Sequence, residues 1–490
     1  MKSEKIFQKN DICAKPSKVF NVYTCIRGRK KKARTYNMKR KIVCVMLCGI
    51  VALGSIGCGS NKMSAETVDL TSGARTVTTP VEKDLQAGSD DGIEDAGERK
   101  DLAGQQGTDR NPAEEKDEFA AYYADFAIEM LKNSAEKEEN CMISPLSLMT
   151  ALSMTENGAV GDTLTEMEDV IAGGVDVETH NRYLSEFCKS LPDTDGAKLK
   201  QANSIWFRND REELLIEEAF LQKNVELYDA GIYESPFDEK TLADINTWVK
   251  DKTDGMIPTI LSQINDEDVM YLINAVTFDA KWETEYEAYQ EHEGLFTKKN
   301  GETQNVSMMN SEEGIYLSDE NTTGFVKPYK DGYSFVGLLP EEGVSVESYL
   351  EELNGEKFRN LLANANYGAT VYAMIPEFEA EYSKEYKEVL SEMGMPLAFD
   401  GTKADFTNLG HSAEDHNLYI SMVLHKTYIK VDTEGTKAAA VTAVTMADCA
   451  TAITEKEIYY VHLNRPFVYA IIEDETGLPI FIGVTEEIDK

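Results

Sequence analysis

The second half of the chain is dominated by short runs of β-branched and aromatic residues, which constrain the fold most strongly. Bounded by turn residues, such runs are typical of strands. They read "VMYLINAVTF", "YSFVGLLP", "ATVYAMIPEF", "LYISMVLHKTYIKV", "EIYYVHL", "PFVYAIIED" and "LPIFIGV". Helices are predicted ahead of them, at residues 119–133, 144–159 and 242–253. Because helices lead and strands follow without regular alternation, the chain is predicted to be α+β with large antiparallel or mixed sheets.

The charge of the chain excludes one class of partner. It has 87 acidic and 49 basic residues, for a net charge of −38. Such a chain offers no basic surface to phosphate backbones, so we expect no nucleic-acid binding. The acidity itself is typical of a soluble surface.

Motifs for catalysis and for metal or cofactor binding are missing from the sequence. There is no GxSxG, HExxH or GxxxxGK[ST] motif, and no Cys/His cluster with zinc spacing. With so many carboxylates, no acid/base pair stands out. We therefore predict a protein that is not an enzyme and needs no metal or cofactor; a surface hydrolase is the weakest alternative.

Residues 38–60, "MKRKIVCVMLCGIVALGSIGCGS", have the order of a targeting segment. A positive start is followed by an apolar run from Ile42 to Leu53 and then by small residues, which predicts a signal peptide over residues 38–57. The ending resembles a bacterial lipobox, although Ser55 stands where Leu is usual. We expect Cys58 to be acylated, giving an extracellular protein held at the membrane by a lipid; plain secretion or an uncleaved anchor are the alternatives.

The flanks of this segment set the domain boundaries. Residues 1–37 form a basic upstream extension before a good start at Met38. They are either an artefact of upstream translation or a longer positive start of the signal peptide, and they are left out of the fold prediction. Residues 58–114 are polar, acidic and almost free of aromatics, so we predict a disordered tether. Residues 115–490 are predicted to form one large domain.

Ten sequence blocks follow one another through this domain. They read "NCMISPLSLMTALSMTENGAVGDTLTEM", "QANSIWF", "INTWVKDKTDGMI", "LINAVTFDAKWETEY", "VSMMN", "KPYKDGYSFVGLLPEE", "IPEFEAEYSKEYKEVLSEMG", "FDGTKADFTNL", "ISMVLHKTYIKVDTEGTKAAAVTAV" and "RPFVYAIIEDETGLPIFIGVT". In this order they resemble the serpin family over residues 118–486. The resemblance implies a fold of three β-sheets and eight or nine helices with an exposed reactive-centre loop.

The resemblance also implies a function. A serpin traps a serine protease as a suicide substrate: the loop is cut and then inserts into the central sheet. The alternative is a non-inhibitory serpin that acts as a binding or carrier module. We expect a monomer whose partner is a serine protease.

The implied loop begins in "DTEGTKAAAVTAVTM", residues 432–446. By resemblance its hinge consists of Glu434, Gly435, Thr436, Ala438, Ala439, Ala440 and Thr442. A segment that is swallowed as a strand must place small, uncharged residues on the buried face, and side chains alternate faces along a strand. The small or β-branched residues Thr436, Ala438, Ala440, Thr442 and Val444 share one face. Lys437 falls on the other face, where it can stay in water.

Two positions depart from the family pattern. The residue two before Gly435 is usually Glu and is Thr433 here; the residue two after it is usually Glu and is Lys437. Neither blocks insertion, but we expect the first to weaken a salt bridge at the top of the sheet; Glu434 is adjacent.

The scissile bond is less well defined. Counting about 14 residues from the hinge glycine gives Cys449–Ala450, whereas counting back from "NRPF" gives a bond near Glu455. Ala450–Thr451 and Ala452–Ile453 are the other candidates. Because the side chains before these cuts are small, we expect an elastase-like or subtilisin-like target, with a cysteine protease as the lesser alternative.

Five further residues are carried over by the resemblance. Ser144, Ser147, Asn274 and His425 map to the region where the sheet opens, and Trp282 maps to the place where the loop enters. Packing and hydrogen bonding in the core would explain the same residues equally well.

Overall fold

The computed structural model of the chain describes residues 21–28, 63–64, 66–72, 112–135, 139–209, 214–412, 417–436 and 456–488. The helices are α1 (Pro112–Ser134), α2 (Pro145–Glu156), α3 (Gly161–Ala172), α4 (Val177–Ser190), α5 (Glu218–Tyr228), α6 (Glu239–Lys252), α7 (Val346–Glu352), α8 (Gly355–Ala363) and α9 (Lys387–Met393). The strands are β1 (Asn21–Gly28), β2 (Val68–Asp69), β3 (Cys141–Ile143), β4 (Ala197–Arg208), β5 (Leu214–Ile216), β6 (Gly231–Ser235), β7 (Asp268–Lys281), β8 (Glu291–Thr297), β9 (Thr303–Glu313), β10 (Ile315–Ser318), β11 (Thr322–Pro328), β12 (Tyr333–Pro340), β13 (Thr370–Pro376), β14 (Phe378–Glu385), β15 (Gly410–Ser412), β16 (Leu418–Val431), β17 (Gly435–Thr436), β18 (Ile458–His462), β19 (Phe467–Glu473) and β20 (Pro479–Thr485).

Helix α2 shows how local sequence sets an element in the core. Ser144 has an extended backbone, and its side chain accepts a hydrogen bond from the Ser147 N–H at 3.2 Å. Pro145 occupies the first helical position, where its missing N–H costs nothing. Every residue of α2 is buried, so the helix runs through the interior rather than along the surface.

Among the described residues, the largest sheet, sheet A, has eight strands. Its strands lie in the order β14, β16, β7, β4, β6 and β2, with β1 and β17 both between β16 and β7. Strands β7 and β4 pair antiparallel from Ala197 opposite Ala280 to Phe207 opposite Met270. These long central strands provide the framework of the candidate site.

Two further sheets complete the core. Sheet B has the strand order β10-β11-β12-β19-β20-β3, and sheet C has the order β18-β13-β9-β8. All residues of β12, β19 and β20 are buried, because these strands are covered on both faces, which explains their unbroken apolar sequences. The α+β architecture with three large sheets is confirmed.

Part of the segment predicted as a disordered tether lies on the domain. Strand β2 pairs antiparallel with β6, and the Ser64 hydroxyl donates to an Asp244 carboxylate oxygen at 2.7 Å. Thr67 donates to the same carboxylate at 2.6 Å. Helix α1 also begins at Pro112, ahead of the predicted boundary at residue 115. The low hydrophobicity of this stretch did not reveal the pairing, which depends on the edge of a sheet distant in sequence.

No helix in the described part of the chain is long and apolar enough to span a membrane. The predicted signal peptide, residues 38–57, and the predicted lipidation site Cys58 lie outside the described residues.

Candidate functional site

The candidate site is the space between the two long parallel strands β7 and β16. Within the described residues these strands do not pair with each other, because two short strands separate them. At their carboxyl ends, β17 pairs with Val431 of β16 and with Ala280 and Lys281 of β7. Farther back, β1 pairs with both strands. The strands β7 and β16 are therefore held apart, and only the short strands β17 and β1 lie between them.

Gly435 begins β17 in a conformation that other residues rarely adopt. Its φ is +147°, and a Cβ atom built there would lie 2.2 Å from the Ala280 carbonyl oxygen. Glycine is therefore required both by the backbone angle and by the close approach of β7. The residue that the sequence predicted as the hinge glycine lies where the chain passes between the two strands.

Thr436 lies on the buried face of sheet A. Its side chain is buried, and its hydroxyl shares a hydrogen bond of 2.7 Å with the hydroxyl of Tyr329. Burial raises the pKa of Tyr329 well above its ordinary value, so this hydroxyl stays protonated. The alternation of side chains along the loop predicts that Thr436 lies on the buried face of an inserted strand. In the structure, Thr436 faces the interior of the domain.

Trp282 holds the turn that leads into the hinge. Its indole N–H donates to the Asp432 carbonyl oxygen at 2.9 Å, and its backbone N–H donates to the Glu434 carbonyl oxygen at 3.2 Å. The Thr433 carbonyl oxygen accepts from the Tyr286 N–H at 3.1 Å. This contact at Thr433 is made by the backbone, so it does not depend on the Glu that is usual there.

A buried ion pair below this turn was not predicted from the sequence. The Lys327 ammonium lies 3.0 Å from a Glu313 carboxylate oxygen, and both side chains are buried. The same ammonium lies 4.4 Å from the ring centre of Tyr286 and 5.2 Å from that of Trp282. The aromatic faces and the carboxylate together compensate the buried charge. No local pattern marks this pair, because the two residues belong to strands of different sheets.

The four residues assigned to the sheet-opening region lie together at the other end of the space. The Ser147 hydroxyl donates to the Asn274 side-chain oxygen at 2.5 Å, and the Ser144 N–H donates to His425 Nε2 at 3.0 Å. Because His425 accepts through Nε2, its ring is neutral in this arrangement. Helix α2 is thus hydrogen-bonded to β7 and to β16.

Asn203 extends this cluster and was missed by the sequence analysis. Its side-chain oxygen accepts from the Asn274 amide at 2.6 Å, and its own amide donates to the Tyr228 carbonyl oxygen at 2.7 Å. Asn203 lies directly opposite Asn274 in the pairing of β4 with β7. The block "QANSIWF" contained it, but nothing in that block showed which strand would face it.

The remaining predicted residues lie outside the described part of the chain, which omits residues 437–455. They are Ala438, Ala439, Ala440, Thr442, Cys449, Ala450, Thr451, Ala452 and Ile453. Among the described residues, no group of His, Cys, Asp and Glu side chains has the arrangement of a metal site.

Comparison with known proteins agrees with this geometry. A family model described as Serpin (serine protease inhibitor) matches residues 121–487. An uncharacterized serpin-like protein of Thermococcus kodakarensis is 31% identical over 367 residues, which cover 73% of this chain and 83% of that protein. Leukocyte elastase inhibitor A of Rattus norvegicus is 28% identical over 374 residues, covering 73% of this chain and 96% of the relative.

Solved structures give the same result. The crystal structure of tengpin, a thermophilic serpin, in the native state superposes with a TM-score of 0.70 at 48% sequence identity. It covers 76% of this chain and 94% of tengpin. Together with a central sheet in which Gly435 lies between the two middle strands, these matches show that the chain belongs to the serpin family, which includes protease inhibitors and whose members are not enzymes.

Proposed function

We propose that this chain inhibits a serine protease as a suicide substrate, by inserting its cleaved reactive-centre loop between β7 and β16. The observation that carries the proposal is the position of β17. Gly435 and Thr436 already lie between the two strands, and Thr436 is buried on the inner face. In this proposal, the chain that follows them would continue between the two strands in the direction set by β17.

The pairing of Thr436 fixes the register of that path. Thr436 lies opposite Ala280 on β7 and opposite Val431 on β16. In an antiparallel ladder each further loop residue moves one residue back along both neighbours. Thr442 would then lie opposite Asn274 and opposite His425, within the cluster that ties α2 to both strands.

The same register assigns faces to the loop residues. Ala438, Ala440, Thr442 and Val444 have the parity of Thr436 and would face the interior. Lys437 has the opposite parity and would stay in water. From Thr436 to Val444, the sequence of the loop is therefore compatible with insertion.

The chemistry that insertion must interrupt is acyl transfer by the protease. The serine Oγ of the protease attacks the carbonyl carbon of the residue before the scissile bond, and its proton passes to the leaving amine. The amide C–N bond breaks, and an ester joins the protease to the loop. Insertion of about 14 residues at 3.3 Å each would carry this ester roughly 46 Å. A domain of about 375 residues has a radius of gyration of roughly 21 Å, so the protease would be dragged across most of it before water releases it.

We further propose an elastase-like or subtilisin-like target. The candidate bonds near Cys449 are preceded by small side chains, and no Arg or Lys lies among residues 438–455. The name of the Rattus norvegicus relative, leukocyte elastase inhibitor A, supports the same class of target.

The experiment is incubation of the full chain, in excess, with elastase, subtilisin, trypsin and a papain-like cysteine protease. We expect an SDS-stable band at the summed mass of protease and the 54.7 kDa chain, less the released peptide, with elastase or subtilisin. Clean cleavage without such a band across the panel would instead indicate a non-inhibitory serpin. Mass spectrometry of the released peptide identifies the scissile bond.

We also propose that Cys58 is acylated and holds the domain outside the cell. The proposal rests on the positive start, the apolar run and the small residues of residues 38–57. Labelling with palmitate that is lost in the Cys58→Ala variant would support it, and equal labelling of the two chains would contradict it.

A further inference from the structure

A segment from the upstream extension occupies part of the candidate site. Strand β1, Asn21–Gly28, pairs antiparallel with β16 on one side and with β7 on the other. Its backbone thus forms ladders with both strands that the reactive-centre loop would need. Residues 1–37 were left out of the fold prediction, so the sequence analysis missed this strand.

The register of β1 coincides with that of the loop. Val22 lies opposite Asn274 on β7 and opposite His425 on β16. Continuing the ladder of Thr436 places Thr442 opposite the same two residues. Both neighbours give this result independently, so Val22 holds the position of Thr442.

The residue types also correspond. By the pairing with β7, Thr24 lies opposite Leu272, the position of Val444 in the continued ladder. Val22, Thr24, Thr442 and Val444 are all β-branched, and β-branched residues favour extended backbone. Segment 22–26 and segment 442–446 also run in the same direction, since each is antiparallel to β7.

We propose that β1 is an internal competitor of the reactive-centre loop: it binds the position that residues 441–446 take after cleavage. One sheet position holds one strand, so the loop cannot pass beyond about residue 440 until β1 leaves. Because β1 belongs to the same chain, its local concentration near the site far exceeds that of a free peptide. This proposal rests on the proposed function, since it concerns the strand-binding site through which the loop would act.

The consequence is a slower insertion step in any chain that keeps residues 21–28. In a suicide mechanism, slow insertion gives water time to hydrolyse the ester, and the inhibitor is consumed as a substrate. Cleavage before Cys58 would separate β1 from the domain and remove its advantage as a tethered strand. Competition by β1 would therefore end when the chain is cleaved before Cys58.

The test uses the full chain and its Thr24→Pro variant. Thr24 lies in the middle of β1, opposite Leu272 and Val423, and proline removes its backbone donor and disfavours a central strand. Thr35→Pro, the same substitution outside β1, is the matched control. We expect Thr24→Pro to lower, by about tenfold, the number of inhibitor molecules consumed for each protease molecule trapped. This factor corresponds to about 1.4 kcal/mol in the difference between the activation free energies of loop insertion and of ester hydrolysis. Thr35→Pro should leave this number unchanged, and equal numbers for Thr24→Pro and the unmodified chain would overturn the proposal.

A second measurement needs no protease. A fluorescent peptide of the loop sequence "KAAAVTAVTM" is titrated into the three chains, and amide hydrogen exchange of residues 22–26 is followed in the unmodified chain. We expect the peptide to bind Thr24→Pro at least about tenfold more tightly than the other two chains, and the amides of residues 22–26 to be protected. Equal peptide binding, or exchange of these amides at the rate of a free peptide, would refute the competitor. If no chain traps a protease, the proposed function fails, and these two readouts still decide the role of β1.

Discussion

The hydroxyl groups of Thr436 and Tyr329 share a buried hydrogen bond of 2.7 Å, next to the face of Trp282, which stacks on Tyr329 at 4.2 Å. This contact leaves no room for a charged side chain at position 436. We expect Thr436→Arg to prevent the first step of insertion, because its unpaired charge would be buried. The yield of SDS-stable complex should fall about tenfold or more while the loop is still cut. Lys437→Glu, on the opposite parity, should leave the yield unchanged; equal losses in both variants would contradict the assigned faces.

The ion pair of Lys327 and Glu313 allows a double-mutant cycle. Lys327→Met alone leaves the Glu313 carboxylate buried without its cation, and we expect a loss of about 3–5 kcal/mol in the free energy of unfolding. Adding Glu313→Gln removes that charge and should recover about half of the loss or more. Urea unfolding of the four chains measures the coupling. If the double variant is as unstable as the sum of the single variants, the pair contributes no coupling.

Glu156 is a buried carboxyl group at the end of α2. Neither of its side-chain oxygens has a hydrogen-bond partner among the described residues. Burial, and secondarily the charge of Glu168, raise the pKa of Glu156 well above its ordinary value. The unfolded chain therefore releases this proton at lower pH than the folded chain, and the group destabilises the fold increasingly as pH rises above the ordinary glutamate value.

Replacement of this group by a neutral one should stabilise the chain. We expect Glu156→Gln to raise the free energy of unfolding by about 1 kcal/mol or more at pH 7 and to have little effect at pH 4. Urea unfolding at the two pH values measures the difference. A variant that is less stable than the original at pH 7 would show that the carboxylate has a compensating partner.

His180 should give the opposite trend with pH. Its ring lies between the Tyr122 hydroxyl, 3.0 Å from Nδ1, and the Ser153 hydroxyl, 2.7 Å from Nε2. Burial lowers the pKa of His180 to about 4, below its usual 6.5. The folded state resists protonation of His180, whereas the unfolded chain takes up the proton near pH 6.5. The contribution of the neutral ring to the free energy of unfolding is therefore complete above pH 6.5 and is lost as pH falls from 6.5 towards 4. The loss should approach about 3 kcal/mol.

His180→Gln isolates this contribution. The variant loses the pH dependence of the imidazole and should show a flatter stability profile between pH 6.5 and 4, whatever its absolute stability. Parallel profiles for the two chains would mean that the ring is solvated or pairs with a carboxylate when protonated.

The positions of helices could be predicted from the sequence, because they depend on residues close together in the chain. The second predicted helix, 144–159, corresponds to α2, whose cap is Ser144, and the third, 242–253, corresponds to α6, whose cap is Asp238. The run "ATVYAMIPEF" was read as one strand but divides between β13 and β14, because the chain leaves sheet C at Glu377 and enters sheet A. Spacing along a chain reveals which residues share a face, but not where a strand changes sheets.

The family resemblance named candidate site residues, but the contacts between them could not be predicted from the sequence. The resemblance mapped Trp282 to the place where the loop enters and four other residues to the region where the sheet opens, and these two groups lie at the two ends of the space between β7 and β16. The Lys327–Glu313 pair, the role of Asn203 and the position of β1 all depend on which strands are neighbours. That information is held by the topology of sheet A and has no periodic signal in the sequence.

Amide hydrogen exchange before and after a single cut in residues 449–453 tests most directly whether the cleaved loop enters sheet A. In the intact chain, residues 437–446 should exchange within seconds and residues 22–26 should be protected. After the cut, we predict that residues 437–446 become protected and that residues 22–26 lose their protection, because both segments bind opposite Asn274 and His425. A cut loop whose amides still exchange freely, with β1 still protected, would contradict insertion between β7 and β16.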